Sequence, residues 1–516
     1  TGTGNIIVTW GNLTMGGNVT VKNTTGNAAI YNEPGATLTV NAGTYESPYA
    51  TVKNLGNAII QGGTHTCSNT STTNAALCNV REANLGNTPT MTIKGGTFTG
   101  NKQGALVNVQ GTVNIQGGTF TSNIDTVNNN GGTMNISTGK IKSTGSGTHT
   151  GIYNYGSGAI TMTGGTIEGV TYGIYNEKGS FALSAGTITS NSAPAIMNEG
   201  SNFTISGTVQ ITGKTTTAIQ NLEAGVMEIK GGTITCPSTN SYAVANKNTA
   251  ILKMSAGTIN ASSGSAMINQ STVNTSQNIA FAMSGGTLAG GVSNAGAARI
   301  SGGKITGLIQ NRGTYCEISG GTIDGAVVNN TAATSMLMIS GTANISSKTY
   351  AQVVTNDAGI MSIAGGTITY SGTNTNVGAA IWNCAVLTMS GGRAISTVFG
   401  LVNQGTNAST TLMGSSSIAV SGSSVAVLID SGIVNHRAGT IASNGTSSCA
   451  VAVPLNATFN VNGGTTTSKR TGVIVNGGTV TMTSGRITPA SGYYAIRKNS
   501  GSVRVTGGTA VPRYNC

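Results

Sequence analysis

The stretch Met91-Thr-Ile-Lys-Gly-Gly-Thr97 contains a phrase that recurs along the whole chain: apolar, polar, apolar, polar, then Gly-Gly-Thr or a close variant. Clear copies run from Val113 to Thr119, Ile160 to Thr166, Met227 to Thr233 and Val503 to Thr509. About 22 copies follow one another at intervals of about 23 residues, and self-similarity at such a period is typical of solenoid proteins.

A second phrase, two or three mainly apolar residues followed by Asn, lies between successive copies of the first. Each repeat therefore holds two or three short strands, with glycines at the corners between them. We predict that the recurrent Asn lies at an inward corner and that its amide bonds to the Asn residues above and below, because stacked amide ladders stabilise parallel stacks. The predicted ladder residues are Asn32, Asn154, Asn176, Asn198, Asn269 and Asn383.

The alternation of apolar and polar residues indicates which side chains face the core. In Leu387-Thr-Met-Ser, a period of two directs Leu387 and Met389 inward and the hydroxyl groups outward. One such repeat cannot bury its apolar face alone, but stacked copies build a continuous core. We therefore predict an all-β fold, a single right-handed parallel β-helix (β-solenoid) of about 22 coils. The right hand is expected because parallel crossovers strongly favour it.

The composition supports this class and excludes others. The chain has 516 residues with 78 Gly, 7% charged residues and 4% aromatic residues, which disfavours helical and aromatic-centred globular folds. A regular supply of aliphatic residues argues against disorder. No apolar run approaches the ~18 residues of a membrane helix, so we expect no membrane span in this segment. We expect one continuous solenoid over residues 1–516, without a separate globular domain.

Several of these phrases resemble a known family. Met254-Ser-Ala-Gly-Thr-Ile259, Met283-Ser-Gly-Gly-Thr-Leu288 and Met389-Ser-Gly-Gly392, together with the Gly-Ile-Tyr-Asn phrases, resemble the adhesin-like β-helix proteins of anaerobic bacteria and archaea. The resemblance covers nearly the whole chain and implies an extracellular or cell-surface location, with a role in adhesion or scaffolding. It is specific for architecture and weak for activity, because the same coil also underlies pectate-lyase-like enzymes and phage tailspikes.

The acidic and histidine residues do not predict an active site. Glycan-cleaving β-helices need two or three neighbouring carboxylates, and the 13 acids of this chain are dispersed. Glu177 and Glu199, one coil apart, are close enough in the stack to touch, but they are expected at a solvated edge. His65, His149 and His436 lie in separate repeats without metal-ligand spacing and are expected at the surface. We therefore predict no enzymatic activity, catalytic residue, metal or cofactor.

The seven cysteines suggest one local crosslink. Cys67 and Cys78 lie within the longest insertion, so we predict a disulfide that clamps this loop.

Charge is concentrated at one end of the chain. The net charge is +12, and no acid follows Asp430, so the end spanning residues 431–516 is basic. It would attract anionic glycans, cell-wall polymers or a neighbouring subunit, although a merely soluble surface is an equal alternative. Nucleic acid is not expected, because the basic residues are not interleaved with stacking aromatics. The candidate anionic-partner patch is Lys469, Arg470, Arg486, Arg497, Lys498, Arg504 and Arg513.

These observations favour a non-enzymatic extracellular protein, either a cell-surface rod or a subunit of an end-to-end filament. Self-association is expected because the repeat phrase reaches both ends without a helical cap, although a fragment of a longer rod would look the same. The alternative is a carbohydrate-binding or carbohydrate-cleaving β-helix using Tyr153, Tyr155, Tyr172 and Tyr175. A third reading, an ice-binding solenoid, rests on the recurring Thr-x-Thr motif.

Overall fold

Three short strands separated by corners form each coil of the computed structural model. The structure describes residues 4–68, 75–101, 104–200, 202–239, 241–330, 334–422, 424–445 and 449–511, with the side chains of 263 and 264 left out. It divides into unit 1, Thr1–Ala266, and unit 2, Met267–Cys516. Each unit is a parallel β-solenoid, and together they contain about 21 turns.

A coil of unit 1 illustrates the arrangement. Thr150–Tyr155 is followed by Ala159–Met162 and Thr166–Gly169. Each strand pairs in parallel with its counterpart one repeat later, so that Ile167 lies opposite Ile188. We name the three resulting sheets the asparagine sheet, the central sheet and the threonine sheet, in that chain order. Long strands continue through the corner from the central sheet into the threonine sheet.

The strands of unit 1 are Ile7–Thr9, Asn12–Met15, Thr20–Lys22, Ala28–Asn32, Thr37–Val40, Thr44–Ser47, Ala50–Asn54, Asn57–Ile60, Thr64–Cys67, Ala75–Val80, Thr90–Ile93, Thr97–Gly100, Gly104–Val109, Thr112–Ser122, Val127–Asn130, Thr133–Ser143, Thr150–Tyr155, Ala159–Met162, Thr166–Gly169, Tyr172–Asn176, Ser180–Leu183, Thr187–Ser190, Ile196–Asn198, Asn202–Ile205, Gln210–Gly213, Ile219–Asn221, Val226–Cys236 and Val244–Asn248. A single-turn 3₁₀ helix covers Ala83–Leu85, and the strand Ile251–Ser271 contains the boundary between the units.

The strands of unit 2 are Phe281–Met283, Thr287–Asn294, Ala297–Ile300, Lys304–Asn311, Tyr315–Ile318, Thr322–Asn329, Met336–Ile339, Asn344–Ser347, Gln352–Asn356, Ile360–Ile363, Thr367–Tyr370, Ala379–Asn383, Val386–Met389, Arg393–Ser396, Phe399–Asn403, Ser409–Leu412, Ser417–Val420, Val427–Ile429, Gly432–His436, Thr440–Ser443, Val451–Pro454, Ala457–Ser468, Val473–Thr488, Ile496–Val505 and Thr509–Ala510.

The core of each unit consists of columns of identical or similar side chains. Leu387 and Met389 are buried, as the alternation predicts, and their counterparts in neighbouring coils are buried as well. Phe98 stacks on Phe120 with ring centroids 4.7 Å apart. Such aromatic pairs contribute about 0.5–1.5 kcal/mol beyond the burial of their area. In-register stacking thus places equivalent side chains of neighbouring coils in direct contact.

The Gly-Gly corners have a steric cause. The second glycine adopts the left-handed conformation, as at Gly96, where φ is 111°. A Cβ on the first glycine of the next corner, Gly117, would lie 2.2 Å from the carbonyl oxygen of Lys94. The corner therefore requires both the backbone freedom and the small size of glycine.

The predicted all-β, parallel, repetitive fold is confirmed. The right-handed coil and the single continuous stack over residues 1–516 remain predictions.

Candidate functional site

An asparagine ladder runs along the inside of each unit. Every ladder residue is fully buried, and in each unit the Nδ2 of every ladder residue before the last donates to the Oδ1 of the ladder residue in the next coil. The distances are 2.6–2.9 Å in unit 1 and 2.7–3.0 Å in unit 2. In unit 1 the ladder comprises Asn32, Asn54, Asn79, Asn108, Asn129, Asn154, Asn176, Asn198, Asn221 and Asn246; in unit 2 it comprises Asn269, Asn294, Asn311, Asn329, Asn356, Asn383 and Asn403.

All six predicted ladder residues belong to these ladders, and the prediction of stacked amides is confirmed. The other members were not predicted because their flanking residues depart from the Ile-Tyr-Asn phrase, as in Val52-Lys-Asn54. The residue before the ladder Asn faces outward, so the core does not restrict its identity. A search for an inward aliphatic residue two positions before Asn would have found most of them.

A row of tyrosines lies on the outer side of the asparagine sheet in unit 1. Tyr153 stacks on Tyr175 with ring centroids 5.2 Å apart, and Tyr155 and Tyr172 extend the row at 4.9 Å and 5.8 Å. All four rings are partly exposed. The predicted aromatic cluster is therefore assembled, with one ring packing against the next.

Two glutamates of the following coils accept hydrogen bonds from this row. The Tyr153 hydroxyl donates to Glu177, and the Tyr175 hydroxyl donates to Oε2 of Glu199 at 3.1 Å. Burial and the neighbouring carboxylates raise the pKa of both tyrosines above the ordinary value. Glu177 and Glu199 each bond to a tyrosine one coil back, an arrangement that combines partly exposed rings with carboxylate acceptors.

Other glutamates form ion pairs between coils. Glu168 lies 3.1 Å from both Lys140 and Lys142 of the preceding coil. Burial would raise the pKa of Glu168, but the two lysines outweigh it and hold the pKa below the ordinary value. Exposed pairs of this kind contribute at most about 1 kcal/mol each. They link neighbouring coils on the outer surface.

The expectation that the histidines lie at the surface is wrong for His65 and His436, which are fully buried. His65 occupies an inward position of the threonine sheet, stacked between Tyr45 at 4.7 Å and Phe98 at 5.1 Å. Burial lowers the pKa of His65 and of His436 to about 4. Both are therefore neutral core residues at pH 7. His149 is partly exposed.

The predicted Cys67–Cys78 disulfide is not formed in the structure, where both residues are thiols. Cys67 points into the coil at the corner position of Ser47, and its Sγ donates to the Tyr49 carbonyl oxygen at 3.3 Å. Cys78 lies between two inward residues of its strand and therefore points to the opposite, outward side. Its Sγ donates to the Ala75 carbonyl oxygen at 3.6 Å. Burial raises the pKa of the Cys78 thiol to about 12.

The basic residues of the predicted anionic-partner patch do not share one face. Arg497 is in register with Ile474 on the asparagine sheet, Arg504 with Thr481 on the central sheet, and Arg486 with Thr465 on the threonine sheet. These basic residues are separated because positions that are close in sequence fall on different sides of a three-sided coil. Lys469 and Arg470 lie at the corner after the threonine sheet, Lys498 lines a cavity with Ile496 and Val503, and Arg513 is outside the described residues.

The threonine sheet of unit 1 carries two outward columns of hydroxyl groups. Thr-x-Thr is unbroken over three coils, which contribute Thr64 and Thr66, Thr97 and Thr99, and Thr119 and Thr121. The next two coils interrupt the columns with the Lys140, Lys142 and Glu168 ion cluster. A flat hydroxyl array is therefore confined to a short segment.

Within the described ranges, none of the helices has the length and apolar character of a membrane span. Among the same residues, no three His, Cys, Asp or Glu side chains are grouped as a metal site would require.

Comparison of the chain with protein-family models, with curated proteins and with solved structures finds no match.

Proposed function

We propose that this chain is a non-enzymatic structural or adhesion protein that acts outside the cell, as a cell-surface rod or as a subunit of an end-to-end filament. The observation that supports it best is the asparagine ladder. Within each ladder the buried amide of one coil bonds to the amide of the next coil, so the recurrent inward Asn serves stacking. The resemblance to adhesin-like β-helix proteins points to the same role.

The state of the acidic residues supports a non-enzymatic reading. Glu168 is held by two lysines, and Glu177 and Glu199 accept hydrogen bonds from tyrosines. A glycosidase needs two carboxyl groups about 5–10 Å apart across a cleft, one of them poised to give up a proton. Carboxylates that are engaged in coil-to-coil contacts are poorly suited to this task.

An exposed inward residue near the end of unit 2 supports self-association of the chain. In the strand Ile496–Val505, Val505 is 51% exposed, whereas Met482, its partner in register, is buried. A second copy of the chain stacked on this strand would cover the exposed inward side chain of Val505.

Negative-stain imaging and sedimentation of the purified chain test this proposal. We expect filaments that lengthen with concentration and that are lost in Val505→Lys, which puts a charge on the inner side of the edge. Ser502→Lys adds the same charge on the exposed outer side of that strand and should leave the filaments intact. Isolated short particles of the unaltered chain at high concentration would contradict self-association.

Carbohydrate binding is the second candidate, and the tyrosine row favours it. Tyrosines combine an apolar ring with a polar tip and are common in binding surfaces. The protein should then give binding signals on a glycan array. The substitution Tyr175→Ala should reduce these signals, whereas Gln220→Ala, at a position in the same outward column as Tyr175, should leave them unchanged. Signals no higher than background would remove this candidate.

A further inference from the structure

A groove in unit 2 follows the corner at the end of the threonine sheet. Three consecutive coils form this cavity of about 570 Å³, with Ser443, Thr467, Ser468, Lys469 and Thr488 among its lining residues. Apart from one proline and one alanine, every residue that lines it has a hydroxyl, amide or ammonium group. The volume is in the range of small-molecule sites, and the converging polar groups would orient a ligand.

Ser443 is the unusual member of this groove. Two serines at the same register position, Ser396 and Ser468, accept a hydrogen bond from the backbone N–H two residues later, from Val398 at 3.0 Å and from Arg470 at 3.1 Å. Ser443 is 1% exposed, and its Oγ has no hydrogen-bond partner among the described residues. A buried hydroxyl without a partner is costly, so a ligand oxygen at this place would be stabilised.

The positive charge of the groove favours an anionic ligand. Lys469 is the one charged residue among the described residues that line it, and the chain has no Asp or Glu after Asp430 to neutralise it. The same corner in unit 1 has a smaller groove of about 330 Å³, whose described lining residues, Thr66, Asn101 and Asn123 among them, are uncharged. Among the described residues, the groove in unit 2 therefore differs from that in unit 1 by one cation in a hydroxyl-lined channel that crosses successive coils.

We propose that this corner groove of unit 2 binds an acidic polysaccharide, with an anionic group beside Lys469 and sugar hydroxyl groups bonded to Ser443 and the neighbouring hydroxyls. A linear polymer fits because the groove crosses three coils in the direction of stacking. The inference deepens the proposed adhesion role and rests on it for the setting in which such a polymer is met.

Calorimetric titration of the full chain tests the site with four probes: alginate, dextran sulfate, dextran and sodium sulfate. Alginate and dextran sulfate should bind, and neutral dextran should not. Lys469→Gln should weaken alginate binding about fivefold, the upper range for an exposed ion pair. Arg504→Gln removes the same charge from the central sheet and should change the affinity less than about twofold. Equal losses of affinity in the two variants would mean diffuse electrostatic attraction. Sulfate that binds as tightly as the polymers would mean a simple anion site. Either result overturns the proposal, as does the absence of binding.

Ser443→Ala separates a ligand role from a structural one. Because the serine hydroxyl has no partner in the described part of the chain, its removal should leave thermal stability unchanged or raised while alginate affinity falls. A variant that loses stability and retains affinity would overturn the role of Ser443. Binding is measured with purified polymers, so a failure to form filaments would reject self-association without affecting this result.

Discussion

Replacement of one ladder residue, Asn176→Ala, should destabilise its coil by about 4 kcal/mol. Asn176 accepts a hydrogen bond from Asn154 at 2.7 Å and donates to Asn198 at 2.8 Å and to the Gly179 carbonyl oxygen at 2.9 Å. Each bond contributes about 1 kcal/mol net, and the buried Oδ1 of Asn198, left without this donor, costs about another 1 kcal/mol or more. The total is at the upper end of single-residue effects.

Hydrogen exchange is the assay best suited to this change, because a solenoid coil contacts chiefly its neighbours and opens locally. Amides of the strand Tyr172–Asn176 and of the coils on either side should lose protection, while distant coils keep theirs. The matched control is Asn202→Ala, an exposed asparagine of unit 1, which should change stability by no more than about 0.5 kcal/mol. If Asn176→Ala costs no more than Asn202→Ala, the ladder does not stabilise the stack.

Three further outcomes are expected. His65 has a folded pKa of about 4 against an ordinary value of 6.5, so the unfolded chain binds more protons between these values and stability falls as the pH drops through this window. The loss is about 3 kcal/mol at full protonation, and acid titration of unfolding should show a smaller loss in His65→Phe, which mimics the phenylalanines of the same column. Gly117→Ala should unfold at clearly lower urea concentration than the unaltered chain, because its Cβ meets a carbonyl oxygen at 2.2 Å, whereas Gly11→Ala, with nothing within 4 Å, should behave normally. Cys78 should resist alkylation in the native state because burial raises its pKa to about 12. After denaturation without reductant it should react, and a protein mass that shows no label under those conditions would indicate that the disulfide is present.

The repeat phrase was sufficient to predict the parallel solenoid, because alternation of apolar residues and recurrent glycines act within a few residues of one another. It also predicted the inward Asn where the preceding residues were typical. The surface position expected for His65 is wrong because the same alternation applies to Thr64-His-Thr-Cys67, which follows a glycine corner and therefore directs the histidine inward. The predicted disulfide failed because proximity in sequence gives no information on which side of the sheet a thiol lies.

Contacts between coils were beyond the reach of the sequence pattern. The bond from Tyr175 to Glu199 spans 24 residues, whereas ladder steps range from 17 to 29 residues, so loop length sets which side chains meet. The same holds for the groove around Lys469, which needs three coils in register, and for the basic residues, which the three-sided coil distributes over different sheets. Local alternation is encoded by neighbouring residues, and so the amino-acid order alone specifies the strands, their inward faces and the corners. Surface sites combine side chains from several coils, and their geometry exists once stacking has fixed the register.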